Sequence, residues 1–205
     1  HQHKRKWNNR WVIEEMKMYP ADKIGVKAWS QIPFLYQTQQ GSQDAPDWAR
    51  NSANVFVSME LWNISDVSAL GNVHTLKLTC CDVSDVSALG NVHSLHLEDC
   101  YNVSDVSALG NVHTMFLCRC RKVSDVSALG NVHTLNLSRC GNVSDVSALG
   151  NVHTLNLSGC DNVSDVSALG NVHTLDLSYC DNVSDVSALG NVHTLNLSVC
   201  GNVSD

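Results

Sequence analysis

The chain has 205 residues, 43% of them hydrophobic, and a formal net charge of −7, which allows one substantial domain or one domain with a smaller appendage. No run of about 18 apolar residues occurs, so a membrane-spanning helix is not expected. The basic opening "HQHKRKWNNRW" lacks the apolar stretch that a secretion signal needs.

Composition divides the chain near residue 62. Residues 1–62 hold eight Lys/Arg against six Asp/Glu, with all five Trp and all three Pro; residues 63–205 hold five Lys/Arg against fourteen Asp/Glu, with all nine Cys. That acidic balance gives no broad basic face for nucleic acid. In the first part, Trp7, Trp11 and Glu15 stand at helical spacing before Pro20, "VKAWSQIPFLY" is interrupted by Pro33, and "QTQQGSQDAPDWARNSAN" reads as a polar linker. Residues 1–53 are expected to be a partly ordered cap on the first repeat, or a remnant of another domain. The chain begins at His1 rather than Met and stops inside a repeat, so the natural protein is expected to continue.

From residue 65 the sequence repeats. "SDVSALGNV" occurs seven times complete, with its Asp at 66, 85, 105, 125, 145, 165 and 185; the first spacing is nineteen residues and the others are twenty. Within one unit Val152, Leu155, Leu157 and Cys160 spell V-x-x-L-x-L-x-x-C. This resembles the leucine-rich repeat pattern L-x-x-L-x-L-x-x-N/C. The "C-x-N-V-S-D" portion is similar to Cys-containing repeats of ubiquitin-ligase adaptors, and "SDVSALG" to the short repeats of internalins. Near-identical tandem copies also resemble repeat proteins of protists and large DNA viruses. No F-box-like pattern precedes the repeats.

The resemblance implies an α/β-type solenoid over residues 54–205, with a parallel sheet on the concave face and short helical or 3₁₀ turns on the convex face. Each residue type has a physical task in that fold. In "HTLNLS" Leu155 and Leu157 alternate with polar residues, the period-2 pattern of a half-buried strand. "SDVSALGN" forms the convex turn, with Asp145 or Ser144 capping its start and Gly150 supplying a left-handed residue at its end. One unit cannot bury its own apolar side, so neighbours must stack. By register, Val57 and Met59 match Leu76 and Leu78, and Trp62 takes the place of Cys81, giving an atypical first rung and eight strands over roughly 40 Å. The last unit has no polar cap, which leaves an open sheet edge.

The residues that look chemical are explained by the repeat. Ser, Asp and His recur in every unit, with Asp145 in the convex turn and His153 at the start of the strand, so no hydrolytic triad is expected. The Cys row 81, 100, 120, 140, 160, 180 and 200 fits a buried ladder of weak S–H donors. Unpaired buried Cys and many Asn-x-Ser sequons, among them Asn102, Asn136, Asn142 and Asn156, point to the cytoplasm. "CRC" at 118–120 lacks the partners of a zinc site, because its two thiols face opposite ways. A row of seven His, from His74 to His193, stacks at strand spacing and could chelate metal or respond to pH. The simpler reading is a solvated flank, and no metal or cofactor is assigned.

Specificity is expected where the copy breaks. The last four rungs repeat Asn136, Asn156, Asp176 and Asn196, each followed by Leu-Ser. Earlier rungs offer Lys77; then His96, Glu98 and Asp99; then Phe116, Cys118 and Arg119; then Arg139. These eight are the candidate partner-binding residues of a non-enzymatic module that holds a protein on its concave face. A surface adhesin acting outside the cell and the recognition subunit of a ubiquitin-ligase-like complex are the alternatives. Neither nucleic acid nor membrane is expected as a partner.

Overall fold

A computed structural model of the chain describes residues 56–60 and 65–203. The expectations for residues 1–53 and Trp62 fall outside these residues. Eight strands, β1 (Phe56–Glu60), β2 (Thr75–Thr79), β3 (Ser94–Glu98), β4 (Thr114–Phe116), β5 (Thr134–Asn136), β6 (Thr154–Asn156), β7 (Thr174–Asp176) and β8 (Thr194–Asn196), form one parallel sheet in chain order. Each strand belongs to one rung, numbered with it. The inferred register holds, since Val57 pairs with Leu76 and Met59 with Leu78.

Every third or so residue of a unit turns inward. In rung six Val152, Leu155, Leu157, Cys160, Val163, Val166 and Leu169 are all buried, and the same positions repeat along the stack as one continuous core. Backbone pairing continues past the short strands: Leu137 N–H donates to Asn156 O (2.8 Å) and Arg139 N–H to Ser158 O (2.8 Å). In rung eight Leu195 is 37% and Val199 62% exposed.

The convex turns are 3₁₀ segments such as Ser147–Asn151. Asp145, not Ser144, organises the start, its Oδ1 accepting the Ser147 N–H at 2.9 Å. The Ser147 hydroxyl and then its N–H hold the Asp145 carboxyl below the usual carboxylate range. One expectation is corrected. The turn glycine is not left-handed: Gly71 and Gly110 have φ of −63° and −62°, and Gly150 is absent from the positive-φ positions. Its reason is packing between rungs, because a Cβ on Gly110 would sit 2.5 Å from the Ala128 carbonyl oxygen. The left-handed residue instead precedes each ladder Cys, at Cys80, Asp99, Arg119, Arg139, Gly159, Tyr179 and Val199. Only one of these is glycine, although the conformation costs other residues roughly 1 kcal/mol. Six of the seven, from Cys80 to Tyr179, donate their N–H to a carbonyl of the next rung, such as Arg119 N–H to Ser138 O at 2.9 Å, which favours the conformation there.

Candidate functional site

Strand register lines up the residues singled out from the sequence. Lys77, His96, Phe116 and Asn136 are direct neighbours across β2 to β5, forming one half-buried row on the concave face. Thr79 and Glu98 pair in the next row, where Cys118 follows one rung on. Asp99, Arg119 and Arg139 occupy the left-handed positions at the strand ends.

Side chains knit rungs three and four together. The His96 and Phe116 rings stack with centroids 4.3 Å apart and planes 12° from parallel. Burial, and then the charge of Lys77, push the His96 imidazole below its ordinary value and favour the neutral ring, against the opposing pull of Glu98. Arg119 Nη1 lies 3.3 Å from Asp99 Oδ2 and 4.0 Å from Glu98 Oε1. The other Asp99 oxygen accepts the Tyr101 hydroxyl at 2.8 Å, and Arg121 lies over the Tyr101 ring at 5.9 Å. Lys122 Nζ donates to Asn102 Oδ1 (2.9 Å), and Cys118 Sγ lies 3.5 Å from Asn136 Oδ1. Lys77 and Arg139 take no part in these side-chain contacts. Sequence reasoning misses Tyr101, although aligning the chain at its twenty-residue period sets Asp99 beside Arg119 and Tyr101 beside Arg121.

The uniform rungs have a different chemistry. Asn136, Asn156 and Asp176 turn their Oδ1 back to accept the N–H of the Ser two residues on, at 2.8, 2.8 and 2.9 Å. These side chains serve the strand-end turn, and their rung-to-rung bonds are neutral or singly charged polar contacts, Asn196 Nδ2 to Asp176 Oδ1 (3.1 Å) and Ser178 Oγ to Ser158 Oγ (2.9 Å), with no aromatic stack or ion pair.

The ladder thiols from Cys81 to Cys180 are buried, Cys200 is partly so, and none forms a disulfide. The thiols of Cys140, Cys160 and Cys180 donate to Leu117, Leu137 and Leu157 carbonyls of the preceding rung at 2.8, 3.1 and 3.1 Å. Burial pushes Cys140 and Cys160 up to about 12 and Cys180 to about 11, so these thiols are poor nucleophiles. A thiol reagent should therefore modify at most Cys80, Cys118 and Cys200 in the folded protein, the three that are only partly buried, and all nine in denaturant. Rapid native labelling of more than three, or fewer than nine in denaturant, would contradict the ladder.

The seven His of the flank row are exposed, with neighbouring ring centroids 4.6 to 4.8 Å apart. No group of three or more His, Cys, Asp or Glu able to share a metal ion occurs among the described residues. Ser94 Oγ lies 3.4 Å from His96 Nε2, a long contact, and no carboxylate hydrogen-bonds that ring among the described residues. No helix among the described residues is long and apolar enough to cross a membrane.

No protein-family model matches this sequence, and no curated protein matches it. Solved structures do. An internalin, InlF, from Listeria monocytogenes is 24% identical with a TM-score of 0.53, over 69% of this chain and 47% of that one. Internalin C2 from the same organism is 24% identical with a TM-score of 0.52, over 69% of this chain and 71% of that one. The leucine-rich repeat domain of the type III effector XopL is 14% identical with a TM-score of 0.59, over 98% of this chain and 79% of that one. This chain thus spans about half the length of the InlF structure. At these identities the likeness is one of fold, and together with the eight-stranded parallel sheet and its twenty-residue units it makes this chain a leucine-rich repeat solenoid with a cysteine ladder.

Proposed function

We propose that residues 54–205 are a non-enzymatic module that holds a protein partner on the concave face of rungs two to five, and that residues 1–53 cap or adjoin it. The observation carrying this reading is the contrast between rungs. The uniform rungs present small polar side chains that bond their own turns or the same position of a neighbouring rung, whereas rungs three and four stack His96 on Phe116 and pair Arg119 with Asp99. A fixed aromatic beside an Arg is the composition of binding hot spots, and a curved sheet offers it on a rigid base. Lys77, Glu98, Cys118 and Arg139 border that centre.

Thiols that form no disulfide fit a reducing compartment, so a cytoplasmic partner is the leading version. The internalin likeness keeps a surface-recognition role as the second reading; glycans on the Asn-x-Ser sites of the native protein would favour it.

Replacing Phe116 and Arg119 together by alanine is expected to lower partner affinity at least about 100-fold, in line with two hot-spot losses. The circular dichroism spectrum should stay unchanged. Affinity capture with tagged wild-type and variant chains checks this; undiminished capture by a folded variant would overturn the reading.

A further inference from the structure

The solenoid segregates its charges. All five Lys/Arg of residues 63–205 lie on a strand or in the turn after one. The convex turns carry the repeating Asp row and no cation. Four of those five cations fall in rungs four and five, where residues 114–123 and 134–143 contain no carboxylate. Arg119 is neutralised by Asp99 and Glu98. Arg121, Lys122 and Arg139 have no carboxylate partner among the described residues and are exposed.

These three are positioned as well as free. Arg121 and Lys122 lean back onto Tyr101 and Asn102 of rung three. Arg139 leans forward: its Cγ lies 3.4 Å from where a Cβ would stand on Gly159 of rung six, within contact range of that rung. The island thus runs from rung three to rung six, about 14 Å at sheet spacing, the reach of roughly four or five extended residues.

We propose that the strand-end turns of rungs four and five bind a short, extended acidic peptide segment of the protein partner, whose carboxylates Arg121, Lys122 and Arg139 hold. This rests on the interaction reading for the class of partner and adds its chemistry. Charge-assisted bonds from pre-placed Arg and Lys give acidic motifs both affinity and register. The acidic remainder of the solenoid repels the same segment elsewhere, which confines it to the island.

The test uses the whole chain and a fluorescent oligoglutamate peptide, read by anisotropy across a salt series. Wild type should bind at low salt and weaken as salt rises. The triple variant Arg121→Gln, Lys122→Gln, Arg139→Gln should lose at least about tenfold in affinity. Ser124→Glu, Ser144→Glu, Ser164→Glu makes the same net-charge change at exposed convex positions and should lose less than about twofold. No binding by wild type, equal loss in both variants, or tighter binding of a single-stranded oligonucleotide of equal charge would overturn the proposal. If oligoglutamate fails to bind while the Phe116 and Arg119 variant still loses its partner, the island assignment falls and the concave reading stands. If oligoglutamate binds as predicted while that variant captures its partner undiminished, the island stands and the concave reading falls.

Discussion

Replacing Leu155 and Leu157 together by alanine will lower the unfolding free energy by roughly 4 kcal/mol or more. Both leucines are at most 1% exposed and lie in rung six, with neighbouring rungs on both sides. Large-to-small changes in a packed core cost about 2–5 kcal/mol each, through lost transfer energy and the cavity left behind. Because each rung contacts only its neighbours, the damage should also uncouple the rungs on either side. Urea unfolding followed by circular dichroism should show an earlier midpoint and a broadened or split transition. A shift of less than about 1 kcal/mol would mean that this rung is not packed as described.

Gly150→Ala will destabilise the chain by about 1–3 kcal/mol, the range for overpacking, whereas Gly190→Ala will be neutral or stabilising by up to about 1 kcal/mol. Helix propensity alone favours alanine over glycine at both turns. At Gly150 the new methyl would collide with the Ala168 carbonyl of the next rung; at Gly190 nothing lies within 4 Å of it. Thermal unfolding of the two variants checks this, and effects of the same sign would show that the glycine is not kept by rung-to-rung contact.

The glycine contrast also marks the limit of what one unit of sequence can reveal. The strands, their register, the inward leucines and the Cys ladder are legible because each is a periodic consequence of burial. Within one unit, a left-handed turn end is the usual reason for glycine after a helical turn, hence the expectation at Gly150. Its actual constraint comes from the following unit. The left-handed row is hidden for a related cause: Cys80, Asp99, Arg119, Arg139, Tyr179 and Val199 share no side-chain signal, and in all but Val199 the N–H bonds a carbonyl of the next rung. At the candidate site the unusual residues of rungs three and four stand out in the sequence at once. Their stacking and pairing emerge only when residues twenty apart become neighbours, which is also why Tyr101 escapes a linear reading.

In this reading a repeated scaffold carries a few departures that recognise a partner. The most direct measurement restores the repeat at the departures, with His96→Asn, Phe116→Asn and Arg119→Gly, and compares partner affinity and melting temperature with wild type. Asn at 96 and 116 can accept the N–H two residues on, as Asn136 does for Ser138, and glycine at 119 relieves the φ of 59°. The restored chain is predicted to melt no lower than wild type and to bind the partner no longer. Wild-type affinity in that chain would contradict the division between scaffold and recognition residues.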